Sequence, residues 1–158
     1  MLQRRGRNPA WESHQVRLRS RNWAVPGQEV AGDGLWFPFA FGFFPSTRAE
    51  DGDPLDVLLR TDADLPTGSL VGCRLIGGIA IEEMVADGRH RNDRLLAVPP
   101  LRHRDRPPYE LSDVPSAQLT DIEDFLVGYQ AADGKDAKVK ARLDKAEAES
   151  IVREAAHA

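Results

Sequence analysis

Hydrophobic and polar positions change period part-way along the chain. From about residue 14 to residue 100 the apolar positions come in short runs divided by turn residues. Val16 and Leu18 alternate with Arg17 and Arg19, the period of a half-exposed strand. Phe37, Phe39, Phe41 and Phe43 recur at every second residue and share one face of an extended segment. Core packing is the plain reading of that stripe. Pro38, Ala40 and Gly42 leave its other face open to close approach, and Pro38 and Pro45 argue for an edge or strand end. Strands are also predicted over Asp56 to Arg60, Ser69 to Ile76, Gly78 to Met84 and Arg94 to Val98. Gly77-Gly78 marks a sharp bend or bulge between the second and third of these. Several short strands at this spacing predict a small barrel or sandwich.

The period then lengthens. Leu119, Ile122, Phe125, Leu126 and Tyr129 fall on one face of a helix, which Asp133-Gly134 ends. Lys138, Lys140 and Arg142 alternate with Val139, Ala141 and Leu143, a strand with one basic face. Asp144 and Glu147 form a candidate capping box for a last helix with the stripe Ala148, Ile151, Val152 and Ala155. The fold class is therefore α+β, a β core followed by two helices.

Composition adds limits. With 158 residues, 41% hydrophobic and 29% charged, the chain suits one globular domain with a real core. We expect residues 1–13 to be a basic, flexible segment and residues 14–158 to be the domain. A single cysteine, Cys73, excludes an intramolecular disulfide framework and fits a cytoplasmic protein. Arginines near the start are not followed by an apolar run, so no secretory signal is expected. The most apolar stretch, residues 34–45, falls far short of the ~20 residues a membrane helix needs. Net charge is −4, and despite six arginines in residues 1–22 no nucleic-acid motif accompanies them, so nucleic acid is not an expected partner. His14, His90, His103 and His157 lack metal-ligand spacing and receive no role.

The densest chemistry lies in Asp51-Gly52-Asp53-Pro54-Leu55-Asp56, just before an apolar strand. Two carboxylates ~4 Å apart repel by ~1 kcal/mol in water and by ~4 kcal/mol at a partly buried site. Carboxylates aimed into one pocket therefore need cations. Magnesium suits such a cluster, since this hard ion prefers oxygen ligands and keeps waters for chemistry. Asp-Gly and Asp-Pro are also common turn dipeptides, so an ordinary surface turn is the competing reading. A phosphatase with an aspartyl nucleophile fits poorly, because polar residues 46–50 precede the loop where a buried strand is required.

Context favours the metal. The run Phe37-Pro38-Phe39-Ala40-Phe41-Gly42-Phe43-Phe44-Pro45-Ser46-Thr47, followed by Asp51-Gly52-Asp53-Pro54-Leu55-Asp56-Val57-Leu58, closely resembles the signature of the family I soluble inorganic pyrophosphatases. Gly72-Cys73-Arg74-Leu75-Ile76-Gly77, Leu95-Leu96-Ala97-Val98-Pro99 and Asp113-Val114-Pro115 with Ile122 to Tyr129 resemble later blocks of that family in the same order. The resemblance spans roughly residues 36–152. It implies a five-stranded OB-like β-barrel with flanking C-terminal helices, and magnesium-dependent hydrolysis of pyrophosphate to two phosphates. Manganese is a further candidate ion.

By the same resemblance Asp51 and Asp56 are metal ligands, and Asp53 both contacts metal and orients or deprotonates the attacking water. Glu83 matches a further metal-binding aspartate, Arg94 a phosphate-binding lysine, and Tyr129 a substrate-touching tyrosine. Asn92 falls on another metal-binding aspartate, with Asp93 adjacent and able to substitute. Arg21 or Arg19 matches an arginine ahead of the aromatic block. Phe41 replaces a tyrosine and Gln130 a lysine, and no lysine precedes Lys135. Two readings follow: an active pyrophosphatase, or a family member with impaired turnover that binds metal and a phosphate compound. Kinship also implies a homo-oligomer, commonly a hexamer.

Overall fold

The structure, a computed structural model, describes residues 14–18, 39–61, 65–99 and 110–156. Arg19, Arg21, Phe37, Pro38, His103, His157 and the basic segment 1–13 lie outside these residues. The elements run β1 (His14–Leu18), β2 (Phe39–Phe43), β3 (Asp56–Arg60), β4 (Leu70–Val85), β5 (Gly88–Arg91), β6 (Arg94–Val98), a 3-10 turn (Leu111–Asp113), α1 (Ser116–Ala132), β7 (Asp136–Leu143) and α2 (Lys145–Ala156).

Strand pairing follows the order β1-β2-β3-β6-β4-β5, and β1 also pairs with β4. That last pairing closes a ring of five strands, β1-β2-β3-β6-β4, while β5 and β7 pair with β4 outside it. All contacts are antiparallel except β3 with β6, where Asp56 stands opposite Arg94.

Ring strands contribute to two cores, one from each face. Val16, Leu18, Ala40, Val57, Leu59, Cys73, Leu75, Leu95 and Ala97, drawn from all five ring strands, pack with Ala148, Val152 and Ala155 of α2. The alternate residues Phe41, Leu58, Ile76, Leu96 and Val98 pack instead with Leu119, Ile122 and Leu126 of α1. Burial on both faces explains why Val57-Leu58-Leu59 and Leu95-Leu96-Ala97-Val98 read as continuous apolar runs rather than alternations.

Two expectations change. The predicted strands either side of Gly77-Gly78 are one strand of 16 residues, whose pairing with β6 shifts register between Leu75 and Gly77. The bulge absorbs the bend without ending the strand. At Gly77 a Cβ would lie 2.5 Å from the Leu143 carbonyl oxygen, so β7 approaches too closely for any side chain. Between the predicted strands Gly78 to Met84 and Arg94 to Val98 the chain forms a hairpin that was not predicted: Val85 pairs with Gly88 and Glu82 with Arg91. Asp87-Gly88 is a turn dipeptide that announces this, and Gly88 takes φ +124°.

The C-terminal elements form as predicted. Asp144 N–H donates to Glu147 Oε2 and Glu147 N–H to Asp144 Oδ1, both at 2.8 Å, the reciprocal capping box that starts α2. Arg142 on β7 straps α1 by donating to both carboxylate oxygens of Glu123, at 2.6 and 3.2 Å.

Candidate functional site

The acidic loop is a braced turn. Phe44 N–H donates to the Leu55 carbonyl at 3.0 Å, tying its two ends together. Thr47 Oγ1 sits between them, donating to the Phe44 carbonyl at 2.7 Å and accepting from Leu55 N–H at 3.0 Å. The last turn of α2 holds the far side, where Arg48 N–H donates to the Ala155 carbonyl at 3.0 Å. At the tip Ala49 N–H donates to the Asp53 carbonyl at 2.7 Å, and Gly52 takes φ +88°, which favours glycine. Asp51 Oδ1 accepts from Asp53 N–H at 3.0 Å, and both aspartates are exposed.

Asp56 begins β3 at the foot of this turn. Its Oδ2 lies 3.0 Å from Arg94 Nη1, with the Asp56 side chain 15% and the Arg94 side chain 5% exposed. Arg94 Nη1 also donates to the side-chain oxygen of Asn92. Asn92 Nδ2 in turn donates to Glu83 Oε1 at 2.5 Å, and Lys135 Nζ stands 3.8 Å from Glu83 Oε2. Asp56, Glu83 and the near neighbours Asn92 and Arg94 thus meet in one network.

Asp93 turns elsewhere. Its Oδ1 accepts from Ile81 N–H at 3.3 Å and its Oδ2 from Arg91 Nε at 2.6 Å, which fastens the base of the β4–β5 hairpin. Burial pushes its carboxyl above the ordinary carboxylate range, against the pull of Arg91 and Arg94. Tyr129 is half-buried on α1 and stacks on Phe125, with ring centroids 6.3 Å apart. Phe41 is buried in the core beneath α1 rather than in the network. Arg21 lies outside the described residues.

The fit to a divalent ion rests on donor chemistry. Among the described residues no three His, Cys, Asp or Glu side chains converge as a finished metal cage. Asp51 and Asp53 are exposed, and their oxygens are the hard donors magnesium prefers.

The family described as inorganic pyrophosphatase matches residues 9–158. This chain belongs to the inorganic pyrophosphatase family. An inorganic pyrophosphatase from Campylobacter jejuni is 32% identical over 111 residues, covering 68% of this chain and 61% of that protein. One from Neisseria meningitidis is 33% identical over 150 residues, covering 92% and 81%. The crystal structure of inorganic pyrophosphatase from Thermus thermophilus superposes with a TM-score of 0.76 at 25% identity, covering 96% of this chain and 93% of that one. The five-stranded ring with C-terminal helices is accordingly the OB-like pyrophosphatase fold anticipated from the sequence.

Lys135 carries no expected site role in the sequence, yet its Nζ reaches Glu83 in this inorganic pyrophosphatase family member. Its signal was present: it follows the helix stop Asp133-Gly134 and is the first lysine in the chain. Period and motif could not reveal that the α1–β7 turn delivers it to Glu83 on β4.

Proposed function

We propose that this chain hydrolyses inorganic pyrophosphate to two phosphates, with divalent ions, magnesium first and manganese as an alternative, held on the loop from Asp51 to Asp56. The observation that carries the reading is the braced turn itself. It sets two exposed carboxylates immediately ahead of the Asp56–Arg94 pair in a member of this family. When bound, a divalent ion supplies Lewis-acid chemistry that brings a water's pKa toward neutrality.

The chain's own groups divide the remaining work. Asp51 and Asp56 offer oxygens to the ion. Asp53 lies between them in sequence, orients the water by hydrogen bonding and accepts its proton. Arg94, Tyr129 and Arg21 bind phosphate, Arg94 from a position fixed by Asp56 and Asn92. Glu83 and Asn92 border the site through Arg94, and Asp93 serves the hairpin base rather than the metal.

A second reading has one specific support. Asn92 is neutral and is hydrogen-bonded at both ends, to Arg94 and to Glu83. That favours a chain that binds metal and a phosphate compound without fast turnover. Phosphate release from pyrophosphate with magnesium, measured beside a nucleoside triphosphate and simple phosphomonoesters, separates the readings. Turnover should require metal, prefer pyrophosphate and drop at least tenfold in Asp53→Asn. Equal rates for parent and variant would remove Asp53 from the chemistry, and metal binding without turnover on any phosphate selects the second reading.

We place the activity in the cytoplasm and in a homo-oligomer, a hexamer by kinship. No described helix is long and apolar enough to cross a membrane. Leu70 and Met84, 47% and 43% exposed, are the large apolar side chains on the described surface that an assembly would cover. Light scattering on the purified chain tests the assembly.

A further inference from the structure

Glu83 is only 4% exposed, and both its carboxylate oxygens face protein donors. Oε1 accepts from Asn92 Nδ2 at 2.5 Å, and Oε2 lies 3.8 Å from Lys135 Nζ. At the other end of the Asn92 amide the oxygen accepts from Arg94 Nη1, and that same nitrogen holds Asp56 Oδ2 at 3.0 Å. Five side chains therefore run in series: Asp56, Arg94, Asn92, Glu83, Lys135. Two carboxylates are balanced by a guanidinium and an ammonium, with a neutral amide between Arg94 and Glu83.

Lys135 is not placed by chance of a long side chain alone. Helix α1 ends at Ala132, Gly134 just beyond it takes φ +75°, and Lys135 N–H donates to the Gln130 carbonyl at 2.9 Å. The stem thus starts from a fixed point, while the ammonium is a compact point charge suited to a single oxygen. An ammonium beside Oε2 repels any second cation approaching that oxygen. An amide engaged at both ends is a poor substitute for a carboxylate ligand.

We infer that Lys135 is a built-in cation for Glu83, so that the Glu83 end of the site takes no divalent ion in the native chain and metal is confined to the side of Asp51, Asp53 and Asp56. This rests on the proposed metal-binding loop, deepens it, and makes Lys135 a positioning residue. It acts on Arg94 and Asp56 through Glu83 and Asn92.

The test counts Mn²⁺ ions bound per full-length chain by equilibrium dialysis. Glu83→Gln should leave the count of the native chain unchanged. Combining Lys135→Gln with Asn92→Asp should add one ion, and introducing Glu83→Gln into that pair should remove it again. Loss of one ion from the otherwise native chain on Glu83→Gln overturns the inference, as does failure of the paired variant to gain one. Where the Glu83→Gln chain does not fold, the paired variant decides alone, since Lys135 is 40% exposed and Asn92 is only partly buried. Asp51→Asn is the separate arm for the loop. If that change leaves Mn²⁺ affinity within twofold, the loop assignment fails while the Glu83 result still stands on its own variants.

Discussion

Asp56 and Arg94 face each other across the parallel strands β3 and β6 and are joined by a 3.0 Å ion pair that is almost wholly enclosed. The same row continues outward, with Phe43 opposite Asp56 on β2 and Ile79 opposite Arg94 on β4. Sheet register therefore decides which acid meets which base. A slip of either strand by one residue would turn its member of the pair to the other face.

Removing one partner of an enclosed ion pair leaves the other charge without its counter-charge, at a cost of about 3–5 kcal/mol. Arg94→Met should lose stability on that scale in urea unfolding and lower phosphate release at least tenfold. Arg94→Lys keeps the charge but replaces the planar guanidinium, whose single Nη1 meets both Asp56 and Asn92, with an ammonium on a shorter stem. Its unfolding midpoint should fall between those of the parent and Arg94→Met.

Gly42 is a place where a methyl group does not fit. A Cβ there would lie 2.5 Å from Val16 Cγ1 and 2.6 Å from the Arg17 carbonyl oxygen, and the backbone atom cannot yield cheaply. Gly42→Ala should cost about 1–3 kcal/mol and speed amide exchange in β1, where the closure of the ring depends on this contact.

Cys73 is 2% exposed, and burial, helped by the negative charge of Glu149, pushes its thiol up to about 12 from 9.0. The folded chain keeps the proton where an unfolded chain has begun to lose it. Stability from this group is complete below pH 9.0 and declines as pH rises toward about 12. At pH 8 an aromatic disulfide reagent should react with native protein at least a hundredfold more slowly than with urea-unfolded protein.

The capping box at α2 is exposed and separate from the candidate site. Asp144→Ala and Glu147→Ala should each lower unfolding free energy by about 1 kcal/mol. Phosphate release should stay unchanged in both.

How much was legible from the residues alone depended on range. Asp144 and Glu147, the stripe of α1 and the strands Asp56 to Arg60 and Arg94 to Val98 rest on neighbours in sequence, and their patterns announced them. Gly42 also signalled a close approach, because a missing side chain has few other uses in an aromatic strand. The hairpin at Asp87-Gly88 also has a local signal, its turn dipeptide. The contacts of Asn92, Asp93 and Lys135 were beyond reach for another reason. Each takes its neighbour from the strand or turn that lies beside it in space: Asn92 beside Glu83, Asp93 beside Ile81, Lys135 beside Glu83. Local periodicity carries no information about such pairings.

Strand β4 bears a consequence for the chain's birth. It pairs with β1, β5, β6 and β7, partners that range from His14 to Leu143. An apolar ribbon of that kind leaves the ribosome before β6 and β7 exist to cover it. Until Leu143 has been synthesised, its sticky edges stay exposed to other nascent chains. With so many distant pairings to assemble, refolding from urea should take milliseconds to seconds rather than microseconds. Truncation anywhere before β7 should send the product to inclusion bodies.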